Sequence, residues 1–270
     1  MNSLNLKFVI KDFYLLYYAL TRPYGRVPFP EWKKAMKKLQ RQFPKGYDAI
    51  VNGIDHTWSV QLTDANSPKD SSEWLHEREK EIERLLERGL RMPEFLRLRK
   101  ETEMHLEEVK QEWKENSQNA LALLQEITRI PIPSKVIEII MVHPKLCGGF
   151  YAGGNPSKIM WGHDPEWPLY HTIYLCHELL HTLLIPDWSK WNYNAIDASI
   201  LHALIELACD NELRIRLHGK GKYFYIGKKY IGHDHLKPFV KNIFPAWRRY
   251  LSNKESNLEE LAKKLTSEKK

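Results

Sequence analysis

The chain has 270 residues, with 41 Lys or Arg against 34 Asp or Glu, and 43% of its residues are apolar. This composition suits a globular protein with a sizeable core and excludes collagen-like, low-complexity and wholly disordered chains. Three cysteines are too few for a disulfide framework and favour a reducing compartment, so we expect a cytoplasmic protein. No run of 18 uncharged apolar residues occurs, so we expect no membrane span.

Residues 1–130 are predicted to form a helical N-terminal region. Its first element, 4–20, is rich in Leu, Phe and Tyr but contains Lys7, Lys11 and Asp12 and is followed by no small-residue cleavage site. We therefore interpret it as an amphipathic core helix rather than a signal sequence. Further along, the sequence predicts helices over 31–43, 70–89 and 93–130, with Gly89 as a C′ residue, and one strand at 58–62.

Residues 131–217 are predicted to form a zincin-like catalytic core. The run 136–142 is short, apolar and rich in β-branched residues, which indicates a buried strand. A glycine-rich loop over 148–154 and a second strand over 158–162 follow. The helix predicted over 168–185 is apolar almost all round and is therefore buried, so each charged or imidazole group on it needs a reason.

That buried helix contains the sequence His177-Glu178-Leu179-Leu180-His181, an H-E-x-x-H pattern. A spacing of four residues places the two imidazoles one turn apart on the same face, where both can bind one zinc ion. Glu178 cannot share their direction, but it can hold the metal's water and accept its proton as general base. The pattern therefore predicts a catalytic zinc site.

A catalytic zinc site has three protein ligands and one open position. The next strong helical pattern, 195–217, carries His202, Glu206 and Asp210 at four-residue spacing. We take Glu206 as the third ligand, with His202 as the alternative. Asp210, one turn further on, is placed to accept the second ring N–H of a ligand histidine. Cys176 and Cys209 adjoin these residues and are interpreted as core.

The pattern of His177, Glu178 and His181 followed by Glu206-x-x-x-Asp210 resembles the gluzincin branch of the zinc metallopeptidases. The resemblance covers about 136–217 and implies His177, His181 and Glu206 as metal ligands, Glu178 as general base, and Asp210 as partner of His177. It also implies an α+β fold, mostly helical, with a small mixed or antiparallel sheet packed on the H-E-x-x-H helix.

The gluzincin resemblance further implies a strand beside the cleft whose free edge binds an extended peptide, and 158–162 is similar to that strand. Gluzincins also often use a Tyr or His after the glutamate helix to stabilise the oxyanion. The candidates here, with His233 or His235 first, are His233, His235, Tyr230, Tyr223 and Tyr225.

Residues 218–270 are predicted to be a basic hairpin and C-terminal helices that complete the cleft. The segment 214–249 contains ten Lys or Arg and one acid, Asp234, so the rest of the chain has a small negative balance. Interleaved aromatic residues give the segment the composition used on nucleic acids. We expect a zinc metallopeptidase acting on peptides or proteins. The alternative is a zincin-fold binding or regulatory protein that engages nucleic acid or protein through 214–249.

Overall fold

The structure, a computed structural model, describes residues 4–21, 28–53, 78–146, 148–153, 157–184, 196–253 and 256–269. It is mostly helical with a small mixed sheet, which confirms the α+β class. Before the site the elements are β1 (Asn5–Val9), α1 (Asp12–Thr21), α2 (Pro30–Gln42), α3 (Pro44–Asp48) continued by a π turn (Ala49–Gly53), α4 (Glu79–Leu90), α5 (Pro93–Thr128), β2 (Val136–Met141), β3 (Gly149–Gly153) and β4 (Ser157–Trp161).

The remaining elements carry or surround the site. They are α6 (Tyr170–Leu184), α7 (Ala198–Ile205) with a π segment (Glu206–Leu213) and α8 (Arg214–His218), the hairpin β5 (Tyr225–Ile226) and β6 (Lys229–Tyr230), a 3-10 turn (Asp234–Leu236), α9 (Lys237–Ser252) and α10 (Leu258–Lys269). The helices predicted at 31–43 and 93–130, the strands at 136–142 and 158–162, and the hairpin are confirmed.

The four described strands of the main sheet lie in the order β1, β2, β4, β3. The β1–β2 and β2–β4 pairs are parallel, and β3 runs antiparallel to β4. Because β4 has a partner on each side, the prediction of a free edge at 158–162 is wrong. The edge on that side belongs to β3.

Two local predictions fail because pairing within the sheet outweighs the local pattern. Asn5–Val9 is a strand, and not the first part of a helix, because it pairs along its whole length with 136–140. Gly149–Gly153 lies in the predicted glycine-rich loop but forms a strand against β4.

Gly89 was predicted to follow the end of its helix, but it lies inside α4, where its missing side chain leaves room for Leu16. The predicted strand at 58–62, the helix start at Asp70 and Cys147 lie outside the described residues.

The sheet separates two apolar clusters, because successive side chains of a strand point to opposite faces. On one face, Ile140 and Met160 join α1, α2, α4 and the start of α5 in what we call the N-terminal core. On the other face, Ile139 and Trp161 join α6, α7, the π segment and the C-terminal helices in the site-side core. The long helix α5 contributes to both cores, with Phe95 on one side and 109–127 on the other.

The boundaries predicted at 130 and 217 stay predictions. The structure does join their regions, since β1 of the first region lies in one sheet with β2 of the second. In the described ranges, no helix has both the length and the apolar character needed to cross a membrane.

Candidate metal centre

The candidate site is built on α6, which is held at its start by two neighbours. The Thr172 N–H, one of the first-turn donors that a helix leaves without an intrahelical partner, donates to Glu112 Oε1 of α5 at 2.6 Å. Trp161 Nε1 of β4 donates to His171 Nδ1 at 3.3 Å. These contacts fix α6 between α5 and the sheet.

His177 and His181 lie one turn apart on α6, as their spacing predicts. Their ring centroids are 5.2 Å apart, and the two residues are only 2% and 9% exposed. Glu178, 7% exposed, lies beside them and lines the same cleft. The cleft that both imidazoles line is therefore also lined by a buried carboxylate.

His202 of α7 completes a set with these two histidines. Its ring centroid is 5.4 Å from that of His177 and 5.0 Å from that of His181. The ligand atoms of the three residues all lie within 4.8 Å of one another. The helix that carries His202 begins at Asp197, whose side chain accepts hydrogen bonds from the N–H groups of Ser199 and Ile200. We call this trio of histidines the inner set.

Glu206 lies in a second set of three, formed with His202 and His233, whose ligand atoms also lie within 4.8 Å of one another. Its Oε1 accepts hydrogen bonds from the backbone N–H of His233 at 2.6 Å and from His233 Nδ1 at 2.7 Å. The hydrogen bond to Glu206 raises the pKa of His233, against the effect of burial. We call His202, Glu206 and His233 the outer set. The prediction that Glu206 binds the same ion as His177 and His181 stays a prediction.

Glycine at position 232 is needed for this arrangement. Gly232 has a φ of +97°, in the region that favours glycine, and a Cβ there would lie 2.6 Å from Glu206 Oε2. A larger residue would therefore push the loop off the carboxylate. No feature of the local sequence identifies this role, because it depends on the approach of two distant segments.

Asp210 contacts His177 as predicted. Its Oδ1 accepts a hydrogen bond from His177 Nδ1 at 2.9 Å, and both side chains are buried. Burial alone would lower the pKa of His177, but Asp210, with smaller contributions from Glu178 and Glu206, raises it to about 9. When the ring gives up a proton to a metal, the bond keeps the remaining proton on Nδ1 and leaves Nε2 of His177 as the nitrogen that can bind the metal.

The π segment carries both Glu206 and Asp210. Its backbone bonds span five residues where it ends, since the N–H of Arg214 donates to the carbonyl of Cys209. Inside it, Asn211 Nδ2 donates to the carbonyl of Glu206 at 3.0 Å. π segments are rare and often occur at functional sites.

The other two inner histidines are held in their neutral form. Burial, reinforced by neighbouring imidazoles, lowers the pKa of His181 well below its usual value and that of His202 to about 3. A neutral imidazole keeps one ring lone pair, which is the form that binds metal ions.

The donor atoms fit a metal ion. Two buried atoms of the cluster, His181 Nδ1 and His202 Nε2, and Asp210 Oδ2 beside it have no hydrogen-bond partner among the described residues. Buried polar atoms without partners are costly, and imidazole with carboxylate is a donor combination that suits zinc and other first-row divalent metals. The cluster of His177, His181, His202, Glu206 and His233 could therefore hold a metal ion.

The cluster opens into a cleft of about 390 Å³ with an aromatic wall. His163 Nε2 accepts a hydrogen bond from the Gly149 N–H at 2.5 Å, so its Nδ1 donates to the Tyr170 hydroxyl at 3.1 Å. Its ring stacks on Tyr174, with centroids 5.5 Å apart. This wall was not among the expectations from the sequence, although Tyr170 and Tyr174 lie seven and three residues before His177 and so share its helix face.

Of the predicted oxyanion-stabilising residues, His233 lines the cleft. His235 contacts the His233 ring at a centroid distance of 5.5 Å. The Tyr230 hydroxyl is buried without a hydrogen-bond partner among the described residues, and burial raises its pKa to about 12. Tyr223 instead holds the fold together, since its hydroxyl donates to Glu212 and accepts from Trp247 Nε1. Tyr225 is exposed.

Neither buried thiol has the features of a reactive cysteine. Cys176 and Cys209 are free and fully buried, and burial raises the pKa of both thiols. They pack in the site-side core, as predicted.

Part of the basic segment 214–249 is engaged inside the protein. Arg214 is buried and donates to the carbonyls of Asp210 and Lys222, and Arg216 pairs with Glu212. Arg214 thus connects the π segment to the loop that contains Lys222 and stabilises both.

Comparisons of the chain with models of known protein families, with curated proteins and with solved structures find no match.

Proposed function

We propose that this protein is a zinc-dependent metallopeptidase with a zincin-like core, similar to the gluzincins. The observation that carries the proposal is the position of Glu178. A buried carboxylate adjoins two imidazoles at one-turn spacing, and all three line one cleft of about 390 Å³. A structural role alone would not explain why these groups face the cleft.

His177 and His181 would hold the zinc ion together with His202, the third residue whose ligand atom lies within 4.8 Å of both. Asp210 would orient His177 through its 2.9 Å hydrogen bond. The gluzincin resemblance favours Glu206 as the third ligand instead. In the structure, however, the Glu206 carboxylate is bonded to His233, so the geometry favours His202.

Zinc held by these histidines would supply Lewis acidity, which would lower the pKa of a bound water toward about 7 and polarise the scissile carbonyl. Glu178 accepts the proton of the attacking water and delivers it to the leaving nitrogen. His233 is the candidate donor to the developing oxyanion. Its backbone N–H and Nδ1 are both bonded to Glu206, which raises the pKa of His233 and fixes the ring at the cleft, so the protonated ring would donate to the oxyanion from Nε2.

The position of the sheet edge beside the cleft favours a peptide as the substrate. β3 is the edge strand of the described sheet, and its first residue, Gly149, lines the cleft. An extended peptide could pair with this edge through main-chain hydrogen bonds, which bind a peptide without reading much of its sequence. The aromatic wall of Tyr170 and Tyr174 would then contact a substrate side chain.

The proposal is tested by zinc content per chain and by cleavage of a denatured protein, for the wild type and for Glu178→Gln. We expect about one zinc per chain in both and a loss of cleavage of about 10²- to 10⁴-fold in the variant, because proton transfer contributes about that much. Glu126→Gln, on the exposed face of α5, is the matched control and should cleave like the wild type. A wild type without zinc, or equal cleavage by Glu178→Gln, would contradict the proposal.

The alternative function, nucleic-acid or protein binding through 214–249, has some support from α9. Lys241, Arg248 and Arg249 of this helix are exposed. Replacing these three residues with Gln should then abolish binding of a DNA or RNA duplex, and binding by the wild type should weaken steeply with salt. Absence of salt-sensitive binding by the wild type would remove this alternative.

A further inference from the structure

Two sets of metal-binding side chains overlap in this site, and only one of them is needed for the proposed chemistry. In the inner set, His177 and His181 are buried and His202 is half-buried. The outer set runs from the buried Glu206 through His202 to His233, whose side chain is 51% exposed. The sets share His202. The donor atoms thus form a continuous path from solvent to the inner position.

His202 can serve only one ion at a time. A neutral imidazole has a single free ring lone pair, because its other nitrogen carries a proton. The two sets are therefore alternative positions for one ion, and not a permanent two-metal centre.

The outer set is organised in advance. Glu206 is fixed by both hydrogen bonds from His233 and by Gly232, which lies directly against its second oxygen. His233 Nδ1 and Glu206 Oε1 lie 2.7 Å apart, so a metal ion can replace the proton between them and bind both atoms, while Nε2 carries the remaining ring proton. One carboxylate and two imidazoles are a sufficient protein ligand set for zinc and similar divalent ions.

We propose that His202, Glu206 and His233 form an outer binding position for a divalent metal ion, and that the ion enters through it and passes to His177 and His181 while His202 remains a ligand. This inference rests on the inner metal site of the proposed function, but not on peptidase activity. It assigns His233 a role in metal uptake in addition to any contact with substrate.

The first test measures uptake of Co²⁺ by the metal-free protein, followed by stopped-flow visible absorption of the bound ion. His233→Ala should slow uptake at least about tenfold, the lower end of the effect of losing a metal-site partner, and should leave the final occupancy near one ion per chain. His235→Ala is the matched control, since His235 is exposed, adjoins His233 and belongs to neither set. Equal uptake rates for the wild type and His233→Ala would overturn the uptake path.

The second test isolates the outer position at equilibrium. His181→Ala removes an inner ligand whose Nδ1 has no hydrogen-bond partner among the described residues, so the truncation leaves no bonded neighbour unpaired there. This variant should still bind one Co²⁺, more weakly than the wild type, and adding His233→Ala should weaken the remaining binding at least about tenfold. Thermal unfolding followed by circular dichroism establishes that each variant is folded.

The outcomes separate this inference from the proposed function. A folded His181→Ala protein that binds no Co²⁺, or whose binding is unchanged by His233→Ala, would overturn the outer position even if the wild type cleaves peptides. Retained binding that depends on His233 would support it even if no peptide is cleaved.

Discussion

The two faces of the main sheet bury very different side chains. In the N-terminal core, the buried side chains between residues 4 and 98 are aliphatic or aromatic in the described part of the chain. In the site-side core, α6 and the π segment bury charged and imidazole groups, including His177, Glu178, Glu206 and Asp210. Burying polar groups costs free energy, whereas apolar packing does not. The buried polar groups of the site-side core are therefore better explained by a functional role than by a contribution to stability.

The strongest test of this contrast concerns the third ligand of the inner set. His202→Ala should lower zinc affinity by more than about 100-fold, because losing a ligand costs more than losing a partner of a ligand. Glu206→Gln should lower it less than about tenfold. Competition with a chelator measures both, and a reversed order would identify Glu206 as the ligand, as the gluzincin resemblance implies.

A core substitution on the other face should separate stability from metal binding. Leu16→Ala in α1 removes a fully buried side chain and should lower the free energy of unfolding by about 2–5 kcal/mol. Leu96→Ala, at a position 56% exposed, should change it by less than about 0.5 kcal/mol. Urea unfolding measures both. If Leu16→Ala also weakens zinc binding in the folded protein, the two faces are coupled and the contrast fails.

Removing the carboxylate that accepts the hydrogen bond from His177 Nδ1 should lower zinc affinity moderately. Asp210→Ala leaves His177 Nδ1 without its acceptor and should lower zinc affinity about 10- to 100-fold. Asp210→Asn keeps an acceptor oxygen and should lose less. Unchanged affinity in Asp210→Ala would mean that the contact only supports the fold.

The last prediction concerns a buried histidine of α5 that lies outside the metal cluster and should affect stability only at low pH. Burial lowers the pKa of His105 to about 4, so the unfolded chain, with an ordinary value near 6.5, binds its proton first as pH falls. Its contribution to stability is complete above about pH 6.5 and is lost as pH falls toward 4. We measure the free energy of unfolding of the wild type and of His105→Gln at each pH and subtract the second from the first. This difference should fall by about 1.4 kcal/mol for each unit by which the pH is lowered in this window. If the unfolding free energies of the two proteins changed with pH in parallel, the lowered pKa of His105 would be contradicted.

The parts of the site that sequence predicted are those fixed by local spacing. His177, Glu178 and His181 lie on one helix, and Asp210 meets His177 because both helices are apolar enough to pack together. These relations follow from the helix repeat and from burial.

The parts that it missed depend on contacts between distant segments. Asn5–Val9 becomes a strand only because 136–140, more than a hundred residues away, offers a partner. Likewise, the bond between His233 and Glu206 depends on how closely a loop can approach a helix, and that is decided at Gly232. The local sequence pattern predicts neither the pairing of these two strands nor the approach of the loop to Glu206.

The π segment makes the site depend on chain length as well as on residue identity. Each residue of a helix turns the chain by a fixed angle, about 100° in the α form, so deleting one residue between 206 and 213 would change the direction of the following side chains relative to those before it. A deletion between Glu206 and Asp210 would turn Asp210 away from His177 while every ligand remained present. Seven of the eight residues of the π segment are buried, so an insertion or deletion there would also disturb the packing around the site.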